Sequence, residues 1–284
     1  MFESFIEDYE RREKFETAKT YRKLLKQFEN WLNSRNGKGD STKFGKETVL
    51  EFLKQKEWAN SSKNVFLSAL SSWASSELEK VQPPTNDEEK RKARRLKRIK
   101  NIGNYANDSE ETEALDLDDV IDVRMALNSE DKKIFWILSW FGLRVGELKT
   151  VQEIDYENQS LTVETLKRSN HTRTLYFDKY TSNVLERAED KDLLSKSYQS
   201  IYRAFSNAGD RLKIELHPHV CRHTFATKFG ERTDPFTLAK MLGHSLEGAG
   251  ASRTTGKYVH PSEEKIREIM TENHYLKPLE LGGE

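Results

Sequence analysis

The stretch Leu216 to Gly230, "LHPHVCRHTFATKFG", gathers His217, His219, Arg222 and His223 around Cys221, the only cysteine of the chain. Two chemistries fit such a cluster. His219 and His223 stand at i, i+4, the spacing with which a helix offers two imidazoles to zinc. Yet no carboxylate lies between them, and Arg222 inside the cluster would repel a cation. The other chemistry is that of anions. A planar guanidinium donates two hydrogen bonds in fixed geometry to a phosphate, and an imidazole beside it exchanges a proton near neutral pH. Elsewhere the chain supplies Arg144 and Glu147 in "FGLRVGEL", His244 in "MLGHS" and Tyr258 in "TTGKYVH". Attack on a phosphodiester builds negative charge on the non-bridging oxygens, which Arg144 and Arg222 would stabilise. A tyrosine hydroxyl, with a pKa of ~10, becomes a nucleophile in a positive surround that also offers a proton acceptor.

Each of these residues also has an ordinary reading. Arg144 and Glu147 are spaced as an i, i+3 ion pair worth ~0.3 kcal/mol on a helix. The histidines are as readily surface groups or satisfied core groups, and Cys221 reads as a small buried hydrophobe.

The elements that must position these residues follow from periodicity. A short helix fits Phe2 to Tyr9. From Thr17, the residues Tyr21, Leu24, Leu25, Phe28, Trp31 and Leu32 mark one apolar face, ending at the turn-rich "NSRNGKGDS". A further helix carries Val49, Leu50 and Leu53, and another runs from a Ser61–Ser62 cap through Val65, Phe66, Ala69, Leu70 and Trp73. "VQPPTNDEEK" breaks the chain. Beyond it come "LDLDDVIDVRMAL" and the apolar "SEDKKIFWILSWFG", with Gly142 allowing a sharp turn. "QSLTVETL" and "TRTLYFD" read as a β-hairpin around "KRSNH", after which helical patterns resume. The expected fold is mainly α with a small antiparallel sheet in an α+β second domain. Its divisions are a helical domain over 1–82, a basic linker over 83–110 and a mainly helical domain with one small sheet over 111–284, the catalytic domain of the resemblance given below.

Composition adds limits. The 284 residues include 47 basic and 47 acidic side chains, so net charge gives no argument for a polyanionic partner. Distribution does: "KRKARRLKRIK" supplies Lys90, Arg91, Lys92, Arg94, Arg95, Lys97, Arg98 and Lys100 with no acid among them. Such a run is either a solvated face or a segment that tracks phosphates. One cysteine excludes an intrachain disulfide and a thiolate zinc site. No run of apolar residues is long enough to span a membrane and no secretion signal is visible, so a cytoplasmic location is expected.

In order, "GLRVGEL" at 142–148, a hairpin lysine, "HVCRHTFAT" at 219–227, "LGH" at 242–244 and "YVH" at 258–260 resemble the tyrosine recombinases, the phage integrases and Xer-like site-specific recombinases. The resemblance implies a SAM-like core-binding domain joined by a basic linker to the catalytic domain. It implies Tyr258 as the nucleophile, which forms a 3′-phosphotyrosyl bond and releases a 5′-hydroxyl. Arg144 and Arg222 would hold the phosphate, His219 would assist proton transfer, His244 would donate to the phosphate and Glu147 would buttress the site. A hairpin lysine would protonate the leaving oxygen; Lys167 is the first choice and Arg168 its competitor. The partners implied are double-stranded recombination sites, with a homo-tetramer holding two duplexes through a Holliday junction, nucleoid association when DNA is bound, and accessory DNA-bending proteins. No metal and no cofactor is implied. A C-terminal helix and tail would dock on a neighbouring subunit. His244 and Tyr258 stand fourteen residues apart, farther than in the common form of the family, and Tyr275 is the one other tyrosine after the "LGH" box. The rival functions are relaxation by a type IB topoisomerase-like enzyme, an inactive DNA-binding accessory protein and, more distantly, a metallohydrolase.

Overall fold

A computed structural model describes residues 1–36, 44–106, 112–165, 171–190, 192–244 and 261–279. The chain divides into two units, residues 1–110 and 111–284.

The first unit contains α1 (Glu3–Arg11), α2 (Phe15–Asn36), α3 (Lys46–Lys54), α4 (Asn60–Glu79) and α5 (Asp87–Lys100). The apolar faces read from periodicity meet in an aromatic core. Phe28 lies edge-on to Phe44, Phe52 and Phe66 at centroid distances of 4.9, 5.0 and 5.5 Å, the arrangement that ring quadrupoles favour. Two local expectations fail. Ser61 and Ser62 lie inside α4, which starts at Asn60 without a side-chain cap. Val65 is 39% exposed while Leu67 turns inward, because the buried stripe of α4 is displaced by part of a turn.

The basic run is not a linker. It forms most of α5, whose Ala93, Leu96 and Ile99 are buried in the core of the first unit. Those residues recur at i, i+3 and i+6, a helical stripe that the surrounding lysines and arginines obscure. The Asn86 side chain accepts the Glu89 N–H at 2.9 Å. Asp87, Glu88 and Glu89 occupy the first turn of α5 and Lys97, Arg98 and Lys100 the last, a charge order that complements the helix dipole. After α5 the chain returns to α4, where Asn64 exchanges two hydrogen bonds with the Tyr105 backbone, at 2.8 and 3.0 Å.

The second unit contains α6 (Leu117–Ala126), α7 (Ser129–Phe141), a 3₁₀ turn (Val145–Thr150), strands β1 (Val151–Asp155), β2 (Ser160–Glu164) and β3 (Thr172–Tyr176), then α8 (Lys179–Glu189), α9 (Tyr198–Leu212), α10 (Pro218–Gly230), α11 (Pro235–Leu242) and α12 (Glu263–Thr271). The sheet is antiparallel in the order β1-β2-β3, so the expected hairpin gains a strand at "VQEID". Leu161 and Val163 of β2 face Leu175 and Arg173 of β3 across the ladder. As its apolar sequence requires, α7 is the central helix, buried continuously from Ile134 to Phe141. Trp136 and Trp140 within it donate their indole N–H groups to Thr181 Oγ1 (3.0 Å) and the Tyr176 carbonyl (3.1 Å).

Within the C-terminal segment, for which docking on a neighbouring subunit is expected, the described residues 274–276 pack into their own unit. Residues 274–276 are buried. Tyr275 Oη donates to the Ser139 carbonyl at 2.9 Å, and His274, stacked on Trp140 with ring centroids 3.8 Å apart, reaches the Trp140 carbonyl with Nε2 at 2.9 Å. The last carbonyls of a helix have no intrahelical donor; here the tail supplies donors for the end of α7. No described helix is long and apolar enough to cross a membrane.

If α5 belongs to the first core, Leu96→Ala destabilises that unit by about 2–5 kcal/mol, read in urea unfolding of the full chain. A solvated linker would leave the transition unmoved.

Candidate active site

The site is built on two helix ends that α10 ties together. Gly142 closes α7 in the left-handed region (φ 58°) and Gly243 closes α11 likewise (φ 66°). Left-handed residues at helix C-termini are commonly glycine. At Gly142 a Cβ would also lie 2.6 Å from the Phe225 ring of α10. Arg144 follows the first turn and His244 the second. Arg222 joins the turns: Nη1 donates to the Gly142 carbonyl and Nη2 to the Leu242 carbonyl, both at 2.7 Å. The guanidinium therefore sits at the negative ends of two helices, where a cation is favoured.

Arg222 Nη2 also lies 3.0 Å from His244 Nε2. A guanidinium only donates, so this nitrogen accepts and the proton of a neutral ring resides on Nδ1. The Arg222 side chain is 4% exposed. Burial, with the nearby charge of Arg144, lowers its pKa to about 10, against which the Glu147 carboxylate acts; it remains a cation at neutral pH.

Glu147 lies in the 3₁₀ turn three residues after Arg144 and is fully buried. Its Oε2 accepts the Arg144 backbone N–H and its Oε1 accepts Arg144 Nη1, each at 2.9 Å. The pairing is thus a buried clamp rather than a surface i, i+3 pair. Burial alone would raise the carboxyl, but the hydrogen bond and charge of Arg173, with the contacts to Arg144, outweigh it and hold the pKa below the ordinary value.

Arg173 was not found from the sequence. Its Nη2 lies 2.7 Å from Glu147 Oε2, and its Nη1 lies 3.3 Å from Oε1 and 3.2 Å from Thr165 Oγ1. One signal was available: Arg173 shares the inward parity of Leu175 on β3, a buried position that a charge occupies only when paired.

His219 stands on the same helix as Arg222, one turn earlier, and is exposed. Partial desolvation of its ring, followed by the charges of Arg222, His217, His223 and Arg144, holds its pKa below the ordinary value. An imidazole so placed is neutral near pH 7 and able to accept a proton. A row of rings leads to it: Tyr198 to Tyr202 at 5.8 Å, Tyr202 to His217 at 6.2 Å and His217 to His219 at 6.4 Å. His217 also meets Glu215 at 3.3 Å. Among the described residues no cluster of three or more metal-ligating side chains occurs. Cys221 is fully buried, and burial pushes its thiol up to about 12.

Arg144, Glu147, Arg222 and His244 therefore meet through direct contacts, with His219 within electrostatic reach. Lys167, its competitor Arg168 and Tyr258 lie outside the described residues. The alternative nucleophile, Tyr275, is 3% exposed and engaged with the Ser139 carbonyl, which removes it from any DNA surface. Of the basic run, Lys90 pairs with Asp87 (3.5 Å), Lys92 with Glu77 (3.0 Å) and Arg98 with Glu47 (2.8 Å). Arg91, Arg94, Arg95, Lys97 and Lys100 have no ion-pair partner among the described residues.

Comparison with known proteins places this chain in a family. The model of the phage integrase family matches residues 110–265, more than half of the chain. The tyrosine recombinase XerA of Saccharolobus solfataricus is 34% identical over 174 residues, covering 57% of this chain and 56% of that protein. The chain thus spans little more than half the length of that curated relative. Among solved structures, a XerH site-specific recombinase bound to a palindromic difH substrate in a post-cleavage complex aligns with a TM-score of 0.60 at 16% identity, covering 82% of this chain and 74% of that one. A lambda integrase tetramer bound to a Holliday junction aligns with a TM-score of 0.58 at 15% identity, covering 93% and 80%. At such identities the likeness is one of fold. Over more than half its length this chain matches the family model in sequence as well, and it belongs to the phage integrase family.

Proposed function

We propose that the protein is a site-specific DNA recombinase that cleaves and rejoins strands through a 3′-phosphotyrosyl intermediate at Tyr258. The observation that carries this reading is the cluster in which Arg222 reaches His244 at 3.0 Å and Arg144 and Arg222 both stand within 4 Å of Glu147. Such a cluster suits a scissile phosphate.

In the proposed reaction the phosphate lies against Arg144 and Arg222. An entering oxygen takes the Arg222 Nη2 hydrogen now directed to His244 Nε2; that nitrogen donates to the phosphate only once it carries a proton itself, as the imidazolium or the other tautomer. The Tyr258 hydroxyl attacks phosphorus and passes its proton to neutral His219. The bond to the 5′-oxygen breaks, and Lys167, or Arg168 in its place, protonates the leaving group. Rejoining reverses these steps with a 5′-hydroxyl from another strand. The phosphotyrosyl bond conserves the energy of the phosphodiester, so the exchange requires no nucleotide cofactor. Two duplexes exchanged strand by strand require four such sites, so the proposed assembly is a homo-tetramer with a Holliday junction as its intermediate. Accessory DNA-bending proteins are compatible with it, and the proposed place of action is the cytoplasmic nucleoid.

The basic side chains of α5 that have no ion-pair partner among the described residues are a second proposed DNA contact. Lysine and arginine along a phosphate backbone give affinity with little sequence choice.

The test is an SDS-resistant adduct between the full chain and nicked suicide duplexes drawn from DNA flanking its gene, in excess chelator. The adduct is expected with wild type and absent with Tyr258→Phe; joined products distinguish recombination from relaxation, and binding without an adduct in the wild type would favour an accessory protein. The cleavage rate should also hold steady as pH falls to about 6.5, because His219 protonates only below its ordinary value, and His219→Gln should abolish the decline seen at lower pH. Finally, substituting Arg91, Arg94 and Lys97 together by Gln should flatten the slope of log affinity against log salt by roughly 2–3. Lys92→Gln, whose partner is Glu77, should scarcely alter it.

A further inference from the structure

Arg173 belongs to none of the motifs that mark the site, yet it holds both oxygens of Glu147. The alternatives for that carboxylate are poorer. Arg144 reaches it with one side-chain nitrogen, and Arg222 Nη1 stands 3.8 Å from Oε2, too far for a hydrogen bond. The Arg173 side chain is 4% exposed against 20% for Arg144, so Arg173 has little surface to offer a substrate. It is also wedged against the turn that delivers His244: a Cβ on Gly243 would lie 2.8 Å from Arg173 Nη1 and 2.9 Å from Thr165 Oγ1.

A carboxylate among guanidinium groups orders them, but it also cancels charge that a phosphate needs. With Arg173 absent, Glu147 would have only Arg144 and Arg222 as partners, and the short gap to Arg222 Nη1 is one that a freed carboxylate could close. The pocket would lose one positive charge and Arg222 would be drawn from the Gly142 carbonyl. We propose that Arg173 is a positioning residue for strand cleavage, neutralising Glu147 so that the charges of Arg144 and Arg222 remain available to the phosphate. This rests on the phosphodiester reading of the site.

The role makes a reciprocal demand that a merely structural pin does not. If the harm in losing Arg173 is an uncompensated carboxylate, removing that negative charge as well should restore function. Full-length wild type, Arg173→Met, Arg173→Lys, Glu147→Gln and the Arg173→Met/Glu147→Gln double variant are compared on the suicide duplex under single-turnover conditions, with DNA affinity and melting temperature measured alongside. Arg173→Met is expected to slow adduct formation roughly 10- to 100-fold with DNA affinity nearly unchanged. The double variant should recover much of the rate, and Arg173→Lys should retain more than Arg173→Met. A double variant as slow as Arg173→Met, or slowing that merely follows lost melting cooperativity, would overturn the proposal.

A second readout does not need the reaction. Inorganic phosphate titrated against the free proteins should raise the melting temperature of wild type, raise that of Arg173→Met less, and regain its effect on the double variant. Equal stabilisation of wild type and Arg173→Met, or none of wild type, would overturn the inference. An adduct missing from wild type counts against the recombinase reading, and the phosphate series still decides the role of Arg173.

Discussion

The site depends on one buried cation. Arg222 is removed from water, which is costly for any charge, and the surrounding fold answers that cost with the carbonyls of two helix ends. Those carbonyls lack intrahelical donors and carry partial negative charge, so the burial of Arg222 and the capping of α7 and α11 satisfy each other. Both helices end in left-handed glycines, and the residue or two following each turn is a site residue, Arg144 in one case and His244 in the other. The guanidinium that would bind the phosphate is also what holds those chain reversals together. Preorganisation of this kind removes the reorganisation that water dipoles would otherwise require as charge develops.

Around this cation the electrostatics are local rather than global. The chain has equal numbers of acidic and basic residues, so its net charge does not favour DNA. What matters is the placement of a few charges. Arg144, Arg173 and Arg222 are gathered about Glu147 in a buried setting where interactions are poorly screened. On α5 the opposite holds: some basic side chains are tied to Glu47, Glu77 or Asp87 while their neighbours have no ion-pair partner among the described residues. The first arrangement fits recognition of one phosphate in fixed geometry, and the second a diffuse attraction to many.

Much of this was legible in the sequence where a pattern has one physical cause. The apolar stripe of α2 and the all-round apolar α7 could only be a core-facing helix and a central one. The Arg144, Arg222 and His244 motifs each sit beside a glycine turn or on a helix that fixes their spacing. What escaped was what another signal masked. In α5 the charges hid Ala93, Leu96 and Ile99 at helical spacing. Strand β1 is short, bulged between Val151 and Glu153 and mostly polar, with little alternation to read. Arg173 looked like one more polar residue beside a hairpin turn, and only the depth of Glu147 in the fold gives it meaning. The role of Tyr275 and His274, which find acceptors at the end of α7 in their own unit, had no sequence pattern to mark it.

In the proposed reaction the same positive field would act in two directions on proton transfer. Partial desolvation, followed by the charges of Arg222, His217, His223 and Arg144, lowers the pKa of His219, making it a weaker base but one that is unprotonated and available at neutral pH. A phenol brought into that field would be shifted in the same sense, since its anion is stabilised by the same guanidinium groups. Donor and acceptor fall together, so the proton need not climb a larger gap than in water, while the phosphate gains the full benefit of the charge. Glu147 limits how far this can go. Without it, Arg144, Arg173 and Arg222 would repel one another in a buried setting; with Arg173 holding it, the field is reduced by a fixed amount that does not depend on whether a phosphate is bound.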